Sequence, residues 1–563
     1  MRHIVISLIL SVSLCALSAF AADSLECNPQ FVASTMLETH SAPGKVIGIL
    51  PVPENSQVGK VYITRLPIFN ESDPGENNFI FRWANRFHIL TKTGTINQIL
   101  LFEPGAAYDP RLIEESARLL RDTKYLYDAT VKPVSHCGGT TDIEVVTRDV
   151  WSFTPEASID RSGGINNYRV SMSESNLFGT GRTASISHNK DIDRISTRIA
   201  YEDRNILGTR IATRVALTNS DDGKSGFARL QLPFYALDTK RAWELRFEQV
   251  ERTDTQYFRS KKVSEIDHKI DDYRMSYGFS NGLKGNIVRR WHLGYAFRED
   301  KFNPGDQLPE PAESPVDMRL SYPFVHFQSL EDNFETTFNV DQIYRTEDLH
   351  LGHNFNFKFG YAASEFGSNQ DRAVMETSFA DTLIYNEKIL LQHHFSLSGL
   401  WNLETKKSED LITEYEIRYF RSQTDLRSFF ASISGTYTRN LNTNKQVVLG
   451  GDTGARGYDS RYQTGDRRVV LTLEERQYTN WHILNLVRPG FAIFLDAGRV
   501  WDPKVNANLA DKYLVNAGFG IRLASSKADV GSIVHIDFAF PLTNKDEPDV
   551  DPFQVTVNIK KRL

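Results

Sequence analysis

From about residue 154 to residue 563 the chain repeats one texture: runs of about ten residues in which apolar and polar side chains alternate, separated by Gly, Asn, Asp and Pro. Alternation with period two is the mark of strands, because successive side chains of a strand point to opposite faces. In the run 469–476, Val469, Leu471 and Leu473 share one face, and Val470, Thr472, Glu474 and Arg476 share the other. In 491–498, Phe491, Ile493 and Leu495 oppose Phe494 and Asp496. In 513–523, Val515, Ala517, Phe519, Ile521 and Leu523 oppose Asn516, Gly518, Gly520 and Arg522. In 533–540, Val534, Ile536, Phe538 and Phe540 oppose His535 and Asp537.

Alternation alone does not say which face is outside. Three features choose. The polar sets repeatedly carry full charges, which do not fill the middle of a soluble sandwich. About 410 residues pass without helices to cover a sheet. An export signal precedes them. The expectation is a mainly β protein built on a transmembrane antiparallel β-barrel, apolar outside and polar inside, of about 16 tilted strands. Closure also removes the open edges so large a sheet would otherwise present. Phe553, Val555, Val557 and Ile559 alternate with Gln554, Thr556, Asn558 and Lys560, as a closing strand requires.

The export signal is short. Arg2 and His3 precede an apolar run from Ile4 to Leu17, and Ala19 and Ala21 supply small residues before a cut after residue 21. Segment 1–21 therefore reads as a signal peptide. Beyond it, no apolar run approaches the ~20 residues a spanning helix needs. Net charge is −6, from 65 Lys+Arg and 71 Asp+Glu, so no basic surface argues for nucleic acid. Cys27 and Cys137 remain after the signal is removed. They suit one disulfide in an oxidising compartment, or two separate thiols. No Cys/His cluster has metal-ligand spacing.

Ahead of the barrel, 22–59 is irregular and 60–153 has a different texture. Across 109–125, Leu112, Ile113, Ala117, Leu119, Leu120 and Tyr125 recur near helical period, with Asp109 as N-cap and Pro110 at the first helical position. A second helix is expected over 78–87. Strand-like runs lie at 61–66, 129–134 and 142–148. The order β-α-α-β-β describes a small α+β domain with one helical face on a three-stranded sheet and strand edges left open.

A set of motifs carries a resemblance. Gly450-Gly451 is followed by Arg456-Gly457-Tyr458 and Gly465-Asp466, then by a strand with Glu474 and Arg476. Phe494-Leu495-Asp496-Ala497-Gly498 and Gly518-Phe519-Gly520-Ile521-Arg522 come next. This order resembles the BamA/TamA superfamily of outer-membrane proteins, also called the bacterial surface antigen family. Asn176-Leu177-Phe178-Gly179-Thr180-Gly181 and Asn205-Ile206-Leu207-Gly208-Thr209 look like its early barrel turns. The α+β domain resembles a polypeptide-transport-associated (POTRA) domain, with Phe102-Glu103-Pro104-Gly105, Tyr108-Asp109 and Leu119-Leu120-Arg121 on its core pattern.

The resemblance implies that the Arg-Gly-Tyr tip lies on a loop folded back into the barrel. There Arg456 would meet Asp496, with Glu474 as a second partner. A guanidinium on a carboxylate gives such a loop a directional anchor, and Gly457 lets the tip turn tightly. It also implies an outer-membrane location with the forward domain in the periplasm. The function implied is assembly and insertion of membrane proteins, or polypeptide translocation. Extended clients would add a strand to the forward domain and act through a seam between the first strand, near 167–173, and the last, 553–563. A transport pore or lipid-handling barrel is the alternative. The implied partners are the bilayer, unfolded polypeptide clients and periplasmic proteins. No cofactor is implied.

One enzyme-like motif occurs, Gly278-Phe279-Ser280-Asn281-Gly282. A nucleophile elbow needs a strand, a sharp turn and a helix. Here an alternating run follows from Ile287, so Ser280 reads as a strand-end residue. A hydrolase is the least favoured function, and no catalytic residue is expected.

Overall fold

The computed structural model describes residues 51–560 apart from 163–164, 338, 387, 502–511 and 528–532. The expected signal peptide and Cys27 lie outside the described residues. The chain divides into two compact units. One runs to Trp151 and includes the turn Phe178–Thr180; the other comprises Ser152–Leu177 and Gly181–Leu563.

The first unit forms where helical and alternating patterns meet. Strand β1 (Gln57–Leu66) is followed by helices α1 (Phe79–Phe87), α2 (Thr93–Asn97) and α3 (Pro110–Arg121), then strands β2 (Leu126–Cys137) and β3 (Thr140–Asp149). The sheet order is β1-β3-β2, with β1 parallel and β2 antiparallel to β3. Helix α3 starts where its sequence says it should. The Asp109 carboxylate accepts the Arg111 amide at 2.9 Å, and Pro110 occupies the first turn, where its missing N–H costs nothing. Its Ile113, Ala117 and Leu120 pack on Leu126, Val131, Ile143 and Val145 in one core. The short α2 is an addition to the expected two helices. Cys137 ends β2 and is disulfide-bonded.

The second unit is a single antiparallel sheet of twenty strands in circular order, from β4 (Phe153–Ser162) to β27 (Gln554–Lys560). Nineteen neighbouring pairs are joined by continuous or once-shifted antiparallel registers, from the β4 pairing with β5 (Ile165–Leu177) to the pairing of β27 with β26 (Ile533–Pro541). The twentieth neighbours are the last strand and the first. Twenty replaces the expected sixteen because the early region is denser than an average of strand plus loop allows. Six strands of 9 to 13 residues fit between Phe153 and Leu232. The first strand also lies earlier than 167–173. Pro155 makes 153–162 read poorly as a strand, yet proline is tolerated at an edge or strand start, and 167–173 belongs to the second strand.

The alternation resolves in the membrane sense. Ile493 is 63% exposed, whereas Phe494 and Asp496, on the opposite face of the same strand, are buried. Phe519 and Phe540 are likewise exposed while Arg522, His535 and Asp537 are buried. A soluble sandwich would bury the first set and expose the second. Among the described residues no helix is long and apolar enough to cross a membrane, so the outward apolar face of the strands is the membrane-crossing surface.

Strand parity fixes where the loops fall. With antiparallel neighbours, connections after odd-numbered strands lie at one end of the barrel and those after even-numbered strands at the other. The tenth strand, β13 (Met318–Glu331), leads into a segment carrying the hairpin β14 (Phe334–Thr337) and β15 (Glu347–His350). The fifteenth, β20 (Arg427–Arg439), leads into one carrying β21 (Val447–Leu449) and β22 (Gln463–Gly465). These two segments therefore enter from opposite ends. The hairpin enters at the end where β4 begins and β27 finishes.

Candidate functional site

The Arg456-Gly457-Tyr458 tip lies on the segment between β20 and strand β23 (Arg467–Tyr478), and it meets the inner faces of the last strands. Strand β24 (Val487–Trp501) contributes Asp496. The Arg456 Nε donates to Asp496 Oδ2 at 2.8 Å and Nη2 donates to Oδ1 at 3.0 Å, a bidentate contact. Its Nη1 reaches Asp537 Oδ2 at 3.2 Å and Glu474 Oε2 at 3.4 Å. The guanidinium carbon sits 3.4 Å over the centre of the Phe494 ring. Arg456 is thus held by three carboxylates from three strands and by an aromatic face.

The carboxylates are themselves tied down. Asp496 also accepts from Asn516 Nδ2 at 3.0 Å and Thr472 Oγ1 at 3.1 Å. Glu474 accepts from Arg476 Nε at 3.0 Å, and Asp537 accepts from Arg522 Nη1 at 2.6 Å. The cluster holds three guanidinium groups and three carboxylates, all buried or nearly so, and its formal charge is zero. Balance matters here. A single unpaired charge in such surroundings costs several kcal/mol.

The glycines of the motif act mainly through close approach. A Cβ on Gly457 would sit 2.7 Å from the Asn516 Cβ. The expected tight turn at the tip is present, with the Tyr458 amide donating to the Ala455 carbonyl at 3.1 Å across Arg456 and Gly457. Gly457 does not take positive φ in it, and the positive-φ residues lie just upstream at Gly450 (φ 128°), Gly451 (60°) and Ala455 (59°). Gly518 leaves room for the Phe494 ring, and Gly520 for the Asp537–Arg522 ion pair. Gly498 lies against Leu449 of the loop. Tyr458 is buried with Val447, Leu449, Tyr462, Val500 and Leu514. Its hydroxyl donates to the Thr543 carbonyl at 2.9 Å and accepts the Val515 amide at 3.2 Å. At the rim, Arg461 makes a bidentate pair with Asp193 at 2.7 and 2.6 Å.

Sequence reasoning named Arg456, Asp496, Glu474, Phe494 and the glycines, and the structure brings them together. It missed Asp537 and Arg522 as members of the cluster. Their signal was present: each is a charge on the polar face of a strand whose neighbours there are mostly small. Ser280 ends in a hairpin. Its hydroxyl donates to the Arg289 carbonyl at 2.8 Å and accepts the Gly282 amide at 3.0 Å, with no helix following.

The second inward segment, 332–353, has a different character. Val340 and Leu349 pack on Leu390 and Phe420 of the wall, and Ile343 packs on Tyr478, Ala524 and Ile533. Arg418 donates to Asp341 at 2.8 Å, and the Tyr344 hydroxyl donates to Asn480 Oδ1 at 2.6 Å. Glu347 accepts the amides of Val340 and Asp341, both at 2.9 Å. Burial pushes its carboxyl up to about 7. Elsewhere, the wall between β9 (Gly223–Leu232) and β18 (Ile389–Asn402) borders a cavity of about 630 Å³ lined in part by Arg274, Arg290, Lys358, His292, His326 and Glu376.

The family model that matches this chain is the Omp85 superfamily domain, over residues 176–560. The chain belongs to the Omp85 superfamily. It is an outer-membrane β-barrel protein of a family that acts on polypeptide clients in assembly or translocation. Solved structures that the chain is similar to include BamA from Haemophilus ducreyi lacking POTRA domains 1–3, at 12% identity, covering 88% of this chain and 84% of that one with a TM-score of 0.36. CdiB from Escherichia coli is 13% identical, covering 89% and 76% with a TM-score of 0.45. CdiB from Acinetobacter baumannii is 11% identical, covering 97% of both chains with a TM-score of 0.41. No curated protein matches the chain.

Proposed function

We propose that this Omp85 protein inserts or translocates extended polypeptides and uses the 440–466 loop as a plug held by Arg456. The observation that carries this reading is the charge-balanced cluster of Arg456, Asp496, Asp537 and Glu474. It fastens a loop in the lumen by contacts that can be exchanged for others without breaking a covalent bond. The plug anchor is then Arg456, Gly457 and Tyr458 with Asp496 and Glu474, to which Asp537 is added.

In this reading the first unit is a POTRA domain in the periplasm. Its sheet ends in β1, whose first residues are bonded to 105–108, and in β2, and an added strand would pair along one of these edges. Neither step needs catalysis or a cofactor. A photo-crosslinker at Lys132 on β2 tests the capture step in cells. Polypeptide adducts support the reading, and adducts with lipid alone would turn it toward a lipid-handling barrel. Paired cysteines in β4 and β27 separate insertion from conduction. Oxidation should block client insertion if the junction of last and first strands is used, and should leave it intact if clients pass only through the lumen.

A further inference from the structure

Helix α1 has an unusual surface. Phe79 is 75% exposed, Ile80 68%, Trp83 51% and Phe87 61%. At about 100° per residue these four fall on one contiguous stripe about a quarter of the helix wide. Phe81, on the opposite side, and Ala84, on the flank away from the arginines, are the buried residues that hold the helix to its unit. Phe69 stacks on Phe81 with ring centres 4.0 Å apart, and Asn85 is bonded to the Phe69 main chain through both its oxygen and its amide. The helix is therefore fixed with its most apolar stripe facing out. Trp83 and Phe87 lie 4.6 Å apart within that stripe.

Two further features say what covers it. Arg82 and Arg86 border the stripe on one flank, both exposed, and the helix contains no acidic residue. Aromatic rings beside arginines are the composition that settles at the boundary of acyl chains and anionic headgroups. Ser152 alone separates Trp151, the last residue of this unit's main segment, from Phe153, the first residue of a membrane-crossing strand. Ile89, just past the helix, and Phe178, in the turn that belongs to this unit, are also exposed.

We propose that α1 is an interfacial helix, and that Phe79, Ile80, Trp83 and Phe87 insert into the leaflet of an anionic phospholipid membrane while Arg82 and Arg86 meet its headgroups. This role is separate from client capture and does not rest on it.

Full-length protein in nanodiscs of phosphatidylcholine and phosphatidylglycerol, with and without bromine on the acyl chains, tests it. The emission of Trp83 is read as the difference between the protein and Trp83→Phe, a substitution that keeps the exposed ring. Bromine should quench the Trp83 component at least twofold, while aqueous iodide leaves it unchanged. Arg82→Gln with Arg86→Gln, or discs without phosphatidylglycerol, should weaken the bromine quenching and restore iodide access. Quenching by iodide but not by bromine overturns the proposal. Shielding from both quenchers overturns it too, because the stripe would then be covered by protein. The strand-rich barrel, checked by its heat-dependent gel shift, reports that each variant is folded.

Discussion

The two segments that fold into the lumen from opposite ends differ in what holds their tips. The tip of the 440–466 loop is fastened by one guanidinium on three carboxylates, beside an apolar base in which Val447, Leu449 and Tyr458 pack on Val470, Val500 and Leu514. The 332–353 hairpin is fastened by Val340, Ile343 and Leu349 against apolar wall residues, with one ion pair, Asp341–Arg418, beside them. The ionic anchor is directional and depends on every member, since removing one leaves the others buried without balance. The apolar contact is non-directional and weakens in proportion to the area lost. A loop that must hold one register and then let go suits the first kind. A segment that only needs to occupy space suits the second.

The sharpest way to break the contrast is Arg456→Ala. Asp496, Asp537 and Glu474 then face one another with one cation fewer. The loss should be about 3–5 kcal/mol of loop docking, read as a large rise in single-channel conductance and in protease access at 440–466. Asp496→Asn should cost less, because the other carboxylates still engage Arg456. If Arg456→Ala leaves conductance unchanged, the loop is held by Tyr458 and its apolar neighbours, and the two segments are alike. Phe420→Ala comes next. It removes a buried ring from under Val340 and Leu349 and should cost about 3 kcal/mol. It should free the hairpin without opening the loop, as cleavage confined to 332–353 would show.

How much of this the sequence carried differs between the two segments for the same physical reason. The ionic anchor was legible through the resemblance carried by the Arg-Gly-Tyr and Phe-x-Asp-x-Gly motifs, with Glu474 and Asp496 marking its wall side as charges on the polar faces of alternating strands. Asp537 and Arg522 carried the same mark but sit far along the chain from the tip. Their meeting depends on which strands adjoin across the barrel, which local pattern does not encode. The hairpin was not legible at all. Val340, Ile343 and Leu349 form no periodic run, and β14 and β15 have four residues each, too few to show alternation. Strand count failed because six short strands crowd between Phe153 and Leu232, and Pro155 hides the first of them. The start of helix α3 was read to the residue, since Asp109 and Pro110 mark it locally, while its end at Arg121 falls short of the expected Tyr125.

Gly457→Ala sharpens the comparison at smaller scale. The added methyl meets the Asn516 Cβ at 2.7 Å and the Pro541 nitrogen at 3.2 Å. Neither is the end of a flexible chain, so the loop must lift. A cost of about 1–3 kcal/mol follows, and conductance should rise less than for Arg456→Ala. The control is Gly367→Ala, outside both segments. There no atom lies within 4 Å of the added carbon, and any effect comes from its φ of 94° alone. Equal responses would mean that close packing at the tip contributes little.

The smallest effect concerns the hairpin and separates the two segments by pH. The amides of Val340, Asp341 and Gln342 donate to Glu347 and favour its charged form, but burial outweighs them and raises the carboxyl from 4.5 to about 7. A docked hairpin therefore binds this proton more tightly than an undocked one. Its contribution to docking is fully present below the ordinary value and is lost as pH rises through about 7. Protease access within 332–353 should accordingly be lower at pH 5.5 than at pH 8. Glu347→Gln, which keeps one of the two acceptor oxygens and cannot ionise, should flatten that difference. The same pH dependence in Glu347→Gln would place its origin in groups other than Glu347. Access at 440–466, read in the same digests, supplies the internal reference, because Glu347 makes no contact there.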